Sequence, residues 1–98
     1  MNNYINDIFS NISKSSNIIN KIKAELDKKI IIGESGAGAI KITGTGNGNI
    51  KNINIEESIL TEKKDIMEKL LILAMNDYIK KQESIKTTVT TEHMLSLN

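Results

Sequence analysis

All six glycines of this 98-residue chain fall between Gly33 and Gly48, and the segments on either side carry helical periods instead. Glycine weakens a helix interior and supplies the positive φ that tight turns require. The turns must therefore lie in the middle of the chain and the helices at its ends. A chain of this length holds one domain at most.

The central block reads as strands. Ile30-Ile31-Ile32 is β-branched and short, and Gly36-Ala37-Gly38 reads as a tight turn. From Ala39 to Thr45 the residues alternate, with Ile40 and Ile42 on one face and Lys41, Thr43 and Thr45 on the other. Asn47-Gly48 predicts a hairpin with a type I′ turn, which needs φ > 0 at both central residues. Asn49 to Ile55 alternates again, with Ile53 and Ile55 in phase. The expectation is a three-stranded antiparallel meander, with one apolar face to cover and two edges to protect.

The flanks read as helices. Ile5, Ile8, Ile12, Ile19, Ile22 and Leu26 are spaced 3-4-7-3-4, with Ser15 at the missing step. This heptad seam predicts one long helix over residues 4–29. So narrow a stripe suits an ordinary core-facing helix, a projecting arm or a helix–helix dimer seam, and spacing alone leaves these open. After a connector at Glu56–Leu60, Thr61 reads as an N-cap. Met67, Leu70, Leu71, Ala74, Met75 and Tyr78 then mark a second amphipathic helix to about Thr87. The expected domain is 1–86, with a flexible tail over 87–98.

Composition excludes much chemistry. The chain has no cysteine and one histidine, so neither a disulfide framework nor a Cys- or His-rich metal centre is available. The longest apolar run, Leu70 to Met75, is far short of the ~20 residues that span a bilayer. No secretory h-region is visible, and the chain reads as cytoplasmic. Gly33-Glu34-Ser35-Gly36-Ala37-Gly38 is not a nucleotide loop, because Ala39-Ile40 stand where Lys and Ser/Thr are needed. Glu56 and Glu57 are adjacent, and on a strand they point to opposite faces, so they cannot serve one bond as acid and base. His93 lies in a polar segment and reads as a free surface histidine. The reading is no enzyme, no cofactor and no metal.

One charge pattern stands out. Lys14, Lys21 and Lys28 are seven residues apart, and Lys23 flanks them. On a helix they line one stripe about 21 Å long, away from the apolar seam. Such a row suits duplex phosphates. On spacing alone the plainer reading is a solvated helix face, in a chain where Ile, Asn and Lys, the residues of A/T-rich codons, dominate.

Three motifs in order resemble the YbaB/EbfC family of bacterial nucleoid-associated proteins. They are the Gly33–Gly38 hexamer, Ile53-Asn54-Ile55-Glu56-Glu57-Ser58-Ile59-Leu60, and Ala74-Met75-Asn76-Asp77 followed by Lys80-Lys81. The resemblance covers about residues 5 to 86. It implies an α+β homodimer: a long N-terminal helix, a three-stranded antiparallel sheet and a C-terminal helix, with helices projecting like tweezers. It also implies a nucleoid location and binding of double-stranded DNA with low or modest sequence preference. Lys14, Lys21, Lys23 and Lys28 are the expected contact row, with Lys80 and Lys81 second. The alternative is a dimeric interaction module serving a replication or recombination protein, with weak DNA contact. The chain departs from the family in several places, Asn52 among them, where relatives often carry a basic residue. Glu56-Glu57 replaces the common Asp-Pro, and arginine is absent, so no bidentate fork is available to read guanine.

Overall fold

A computed structural model describes residues 16–96. Within them a helix, α1, occupies 16–28. It leads into strands β1 (Ile30–Ser35), β2 (Ile40–Thr45) and β3 (Ile50–Ile55), a short helix α2 (Glu57–Leu60) and a helix α3 (Lys64–Leu95). The chain is thus α+β, with helical flanks around an antiparallel sheet of order β1-β2-β3. Ile5, Ile8, Ile12 and Lys14 lie outside the described residues.

The helix lengths differ from expectation. The long helix is the C-terminal one, 32 residues or about 48 Å, whereas α1 is short within the described residues. The expected tail from Thr87 is a continuation of α3, because Val89 is buried there and supplies an apolar anchor beyond the Thr/Ser run. The helix start also moves. Thr61 caps the C-terminus of α2 and donates its hydroxyl to the Ser58 carbonyl at 2.9 Å; Lys63 takes the N-cap position of α3. The connector is therefore a helical turn.

Both hairpins are in the expected places, but their turn chemistry is exchanged. Gly36 and Ala37 have φ of 61° and 56°, the doubly left-handed pair assigned by sequence to Asn47-Gly48. At the second hairpin only Gly48 is left-handed, with φ 90°. Its amide bonds the Thr45 carbonyl at 3.1 Å, and the Thr45 amide bonds the Asn49 carbonyl at 2.9 Å. This is a three-residue loop closed by a left-handed glycine. Asn47 keeps an ordinary φ because its side chain is engaged elsewhere, as described below.

The core lies between the sheet and α3. Ile31, Ile40 and Ile42 are buried beneath Ala74 and Tyr78, with Leu70, Leu71, Met75 and Ile85 packed around them. Each fully buried isoleucine contributes about 1.5–3 kcal/mol. Two glycines let the helix approach. A Cβ on Gly33 would lie 2.4 Å from the Tyr78 backbone nitrogen and 2.5 Å from the Ala74 carbonyl oxygen. One on Gly44 would lie 2.6 Å from the Tyr78 hydroxyl. Gly33 faces Ile42, and Ile31 faces Gly44, so the two glycines are diagonal neighbours across the β1–β2 ladder. Tyr78 occupies the space they leave, and its hydroxyl donates to the Thr45 carbonyl at 2.6 Å.

The two sheet edges are treated differently. β1 turns the Glu34 amide and the Ile32 carbonyl away from the ladder. Asp77 accepts the former at 2.9 Å, and Lys81 donates to the latter at 3.1 Å. The pair is closed by a 2.9 Å contact between Lys81 and Asp77, one helical turn apart. Asp77, a poor mid-helix residue, is thus a plug for an open strand edge. β3 is the other edge strand of the sheet.

Candidate nucleic-acid interface

The expected contact row sits on α1, and its placement follows from how α1 is held. Leu26 is the one buried side chain of the helix within the described residues; Ile22 is half-buried, and Ile19 is half-exposed despite its place in the seam. The second hairpin grips the helix end. The Gly46 amide bonds the carbonyls of Leu26 and Lys29 at 3.0 and 3.2 Å. Asn47 donates its side-chain amide to the Lys23 carbonyl at 3.0 Å and to Asp27 Oδ1 at 2.5 Å. A Cβ on Gly46 would lie 2.9 Å from the Leu26 carbonyl oxygen, which makes this glycine a docking surface.

The far end of α3 completes the hold. His93 Nε2 lies 2.6 Å from Glu25 Oε2, and Lys29 is 4.0 Å from the same carboxylate's other oxygen. His93 is therefore not a free surface histidine. Its partner is 68 residues away in sequence, so no local spacing could reveal it. Gln82 also reaches the hairpin, donating to the Gly46 carbonyl at 2.7 Å.

Lys21, Lys23 and Lys28 are exposed, and among the described residues none of the three enters an ion pair. Lys14, the fourth of the expected row, lies outside the described residues. The second-choice lysines separate: Lys80 is exposed, while Lys81 is engaged by Asp77 and the Ile32 carbonyl. Engagement by Glu34 and Lys81 holds the Asp77 carboxyl below the usual carboxylate range, with the Glu34 amide the larger cause. Burial raises the Tyr78 hydroxyl above its ordinary value.

Sequence reasoning missed the docking groups, Asn47, Gly46, Gln82 and the Glu25–His93 pair. Among the described residues, no cluster of three or more His, Asp or Glu is placed to hold a metal ion. No described helix is long and apolar enough to cross a membrane.

Comparisons with known proteins converge. The model of the YbaB/EbfC DNA-binding family matches residues 1–96. A nucleoid-associated protein of Francisella tularensis subsp. novicida is 31% identical over 96 residues, covering 98% of this chain and 86% of the relative. One from Francisella tularensis subsp. tularensis is 33% identical over 87 residues, covering 89% and 78%. The crystal structure of an uncharacterized Helicobacter pylori protein superposes with a TM-score of 0.79 at 21% identity, covering 89% of this chain and 92% of that one. At that identity the structural match speaks for the fold.

Proposed function

Because the chain belongs to the YbaB/EbfC DNA-binding family, we propose that it binds double-stranded DNA as a homodimer in the nucleoid. Contact is made mainly to the phosphate backbone, with low or modest sequence preference. The observation that carries this reading is the exposed Lys21–Lys23–Lys28 row on a helix tied down at its end by Asn47, Gly46 and His93. A docked helix holds its charges in a fixed geometry, which limits the order lost on binding. In sequence Lys14 stands one heptad before Lys21. Lysine meets phosphate as a point charge, so the row follows the duplex without reading bases. The subunit carries a formal charge of only +1, and two copies are needed for the rows to act together. The reading assigns no reaction.

The test is a mobility-shift titration against salt with unrelated duplexes, run beside a solution mass measurement. The expected result is binding at low ionic strength to every duplex, with a steep salt slope. Each phosphate contact removed by Lys21→Ala or Lys28→Ala reduces that slope by about 0.9 per subunit. Absence of binding at low ionic strength overturns the DNA reading. Absence in a protein that still measures as a dimer favours a module that docks on a replication or recombination protein.

A further inference from the structure

The lysine row rides on α1, and the ties that hold α1 differ in kind. At the second hairpin, Asn47 bonds the Lys23 carbonyl and the Gly46 amide bonds the Leu26 and Lys29 carbonyls. Neither an amide nor a carbonyl changes charge near neutral pH. The tie to α3 is made by two titratable side chains. His93 Nε2 lies 2.6 Å from Glu25 Oε2, and the pair joins the last turn of α3 to α1. Both side chains are only partly exposed, at 24% and 36%, so salt screens the pair less than a fully solvated contact.

His93 is the single histidine of the chain, and there is no cysteine. Imidazole is then the one side chain here that ordinarily changes charge between pH 5 and pH 8. The charged groups about it are few among the described residues. From α1 come Glu25 and Lys29, the latter 4.0 Å from the other oxygen of the same carboxylate. From α3 comes the exposed Glu92, its neighbour in sequence. The second hairpin's turn, Gly46-Asn47-Gly48-Asn49, carries no titratable side chain.

A neutral ring can donate its Nε2 proton to Glu25. A protonated ring makes the same contact between opposite full charges, which is the stronger bond. It also sets a positive charge in the last turn of α3, where the helix dipole favours one. Both effects act in one direction: the tie between the helices strengthens as the ring gains a proton.

We propose that His93 is a proton-sensitive positioning residue for the lysine row: acting through Glu25, it holds α1 more firmly on α3 as pH falls from 8 to 6, and the grip on duplex phosphates tightens. This rests on the DNA reading above and adds its regulation. The ring acts on the helix and not on the phosphates, so the number of phosphate contacts does not change. Affinity shifts with pH while the salt slope stays constant. A ring that met phosphate itself would steepen the slope on protonation by about 0.9 per subunit.

The first readout needs no DNA. Hydrogen-exchange protection factors across residues 16–28 are expected to rise about fivefold from pH 8 to pH 6, with those of the sheet unchanged. His93→Gln keeps a donor that does not titrate and is expected to abolish this response. Glu25→Gln keeps the ring without its charged acceptor and is expected to reduce it. Circular dichroism checks that both variants fold. The second readout is duplex affinity at fixed salt, expected to rise about fivefold over the same interval in the parent and to stay flat in His93→Gln. A parent whose α1 protection does not respond, or a response that survives His93→Gln, overturns the proposal. So does a salt slope that steepens at pH 6 in the parent alone, which would make His93 a phosphate contact. Equal affinity at both pH values overturns the proposal and leaves the DNA reading standing. Absence of binding at both overturns the DNA reading and the effect on affinity with it, and the exchange experiment alone then decides the clamp.

Discussion

Tyr78 donates its hydroxyl to the Thr45 carbonyl at 2.6 Å, inside the space vacated by Gly33 and Gly44. One side chain thereby joins α3, β1 and the end of β2. Replacing it with phenylalanine keeps the ring and strands a buried carbonyl. Tyr78→Phe is expected to cost about 1–3 kcal/mol in urea unfolding at neutral pH. The hydroxyl's value is raised by burial, so its contribution is complete below the unfolded value of about 10 and is lost as pH rises toward the higher folded value. The parent protein should lose more stability above pH 10 than Tyr78→Phe does.

Gly33 is constrained by its neighbours. The atoms nearest an added Cβ include the Tyr78 nitrogen and the Ala74 carbonyl oxygen, which belong to a helix backbone that cannot step aside locally. Gly33→Ala is expected to push α3 off β1 and destabilise by about 3 kcal/mol or more. A denaturant midpoint checks it.

Asp77 gives the protein an acid-sensitive edge. Its carboxyl is held below the ordinary range chiefly by the Glu34 amide and then by Lys81. Its contribution is therefore complete above about pH 4 and declines as pH falls through the lower folded value. Thermal melts of Asp77→Asn should show a smaller loss between pH 5 and pH 2 than those of the parent. The variant should also exchange the Glu34 amide faster at neutral pH.

Ala37 occupies the left-handed region at φ 56°. An L-residue there costs about 1–2 kcal/mol, and glycine loses about 0.5–1 kcal/mol of chain entropy on folding. The difference favours glycine, so Ala37→Gly is expected to raise stability by about 0.5–1 kcal/mol in the same urea experiment.

Asn47 bridges the second hairpin to α1 through the Lys23 carbonyl and Asp27. Asn47→Ala is expected to speed hydrogen exchange across residues 16–28 while leaving the sheet amides protected. With the lysine row less firmly held, DNA affinity should fall although no positive charge has been removed. A salt slope equal to that of the parent would separate this effect from loss of a phosphate contact.

The strands were legible because their signals are local. Ile40 and Ile42 alternate with Lys41 and Thr43, and the glycines bracket each turn. The α3 stripe from Met67 to Tyr78 was legible for the same reason. Its end was not, because Val89 is one apolar residue in a polar stretch and becomes an anchor only when the fold buries it. The turn types were misassigned because Asn47 was judged by its backbone preference, while in the structure its side chain bridges to α1. At the candidate site the sequence placed Lys21, Lys23 and Lys28 on one exposed helix. It gave no sign that Lys81 is committed to Asp77 and a strand edge.

Periodicity and turn chemistry act between residues a few positions apart, so composition and order alone determined the helical flanks, the meander and the spacing of the lysines. Which edge of the sheet is sealed and what holds α1 were decided by contacts such as Asp77 with Glu34 and His93 with Glu25. Those partners lie 43 and 68 residues apart, and such pairings exist only once the chain has packed.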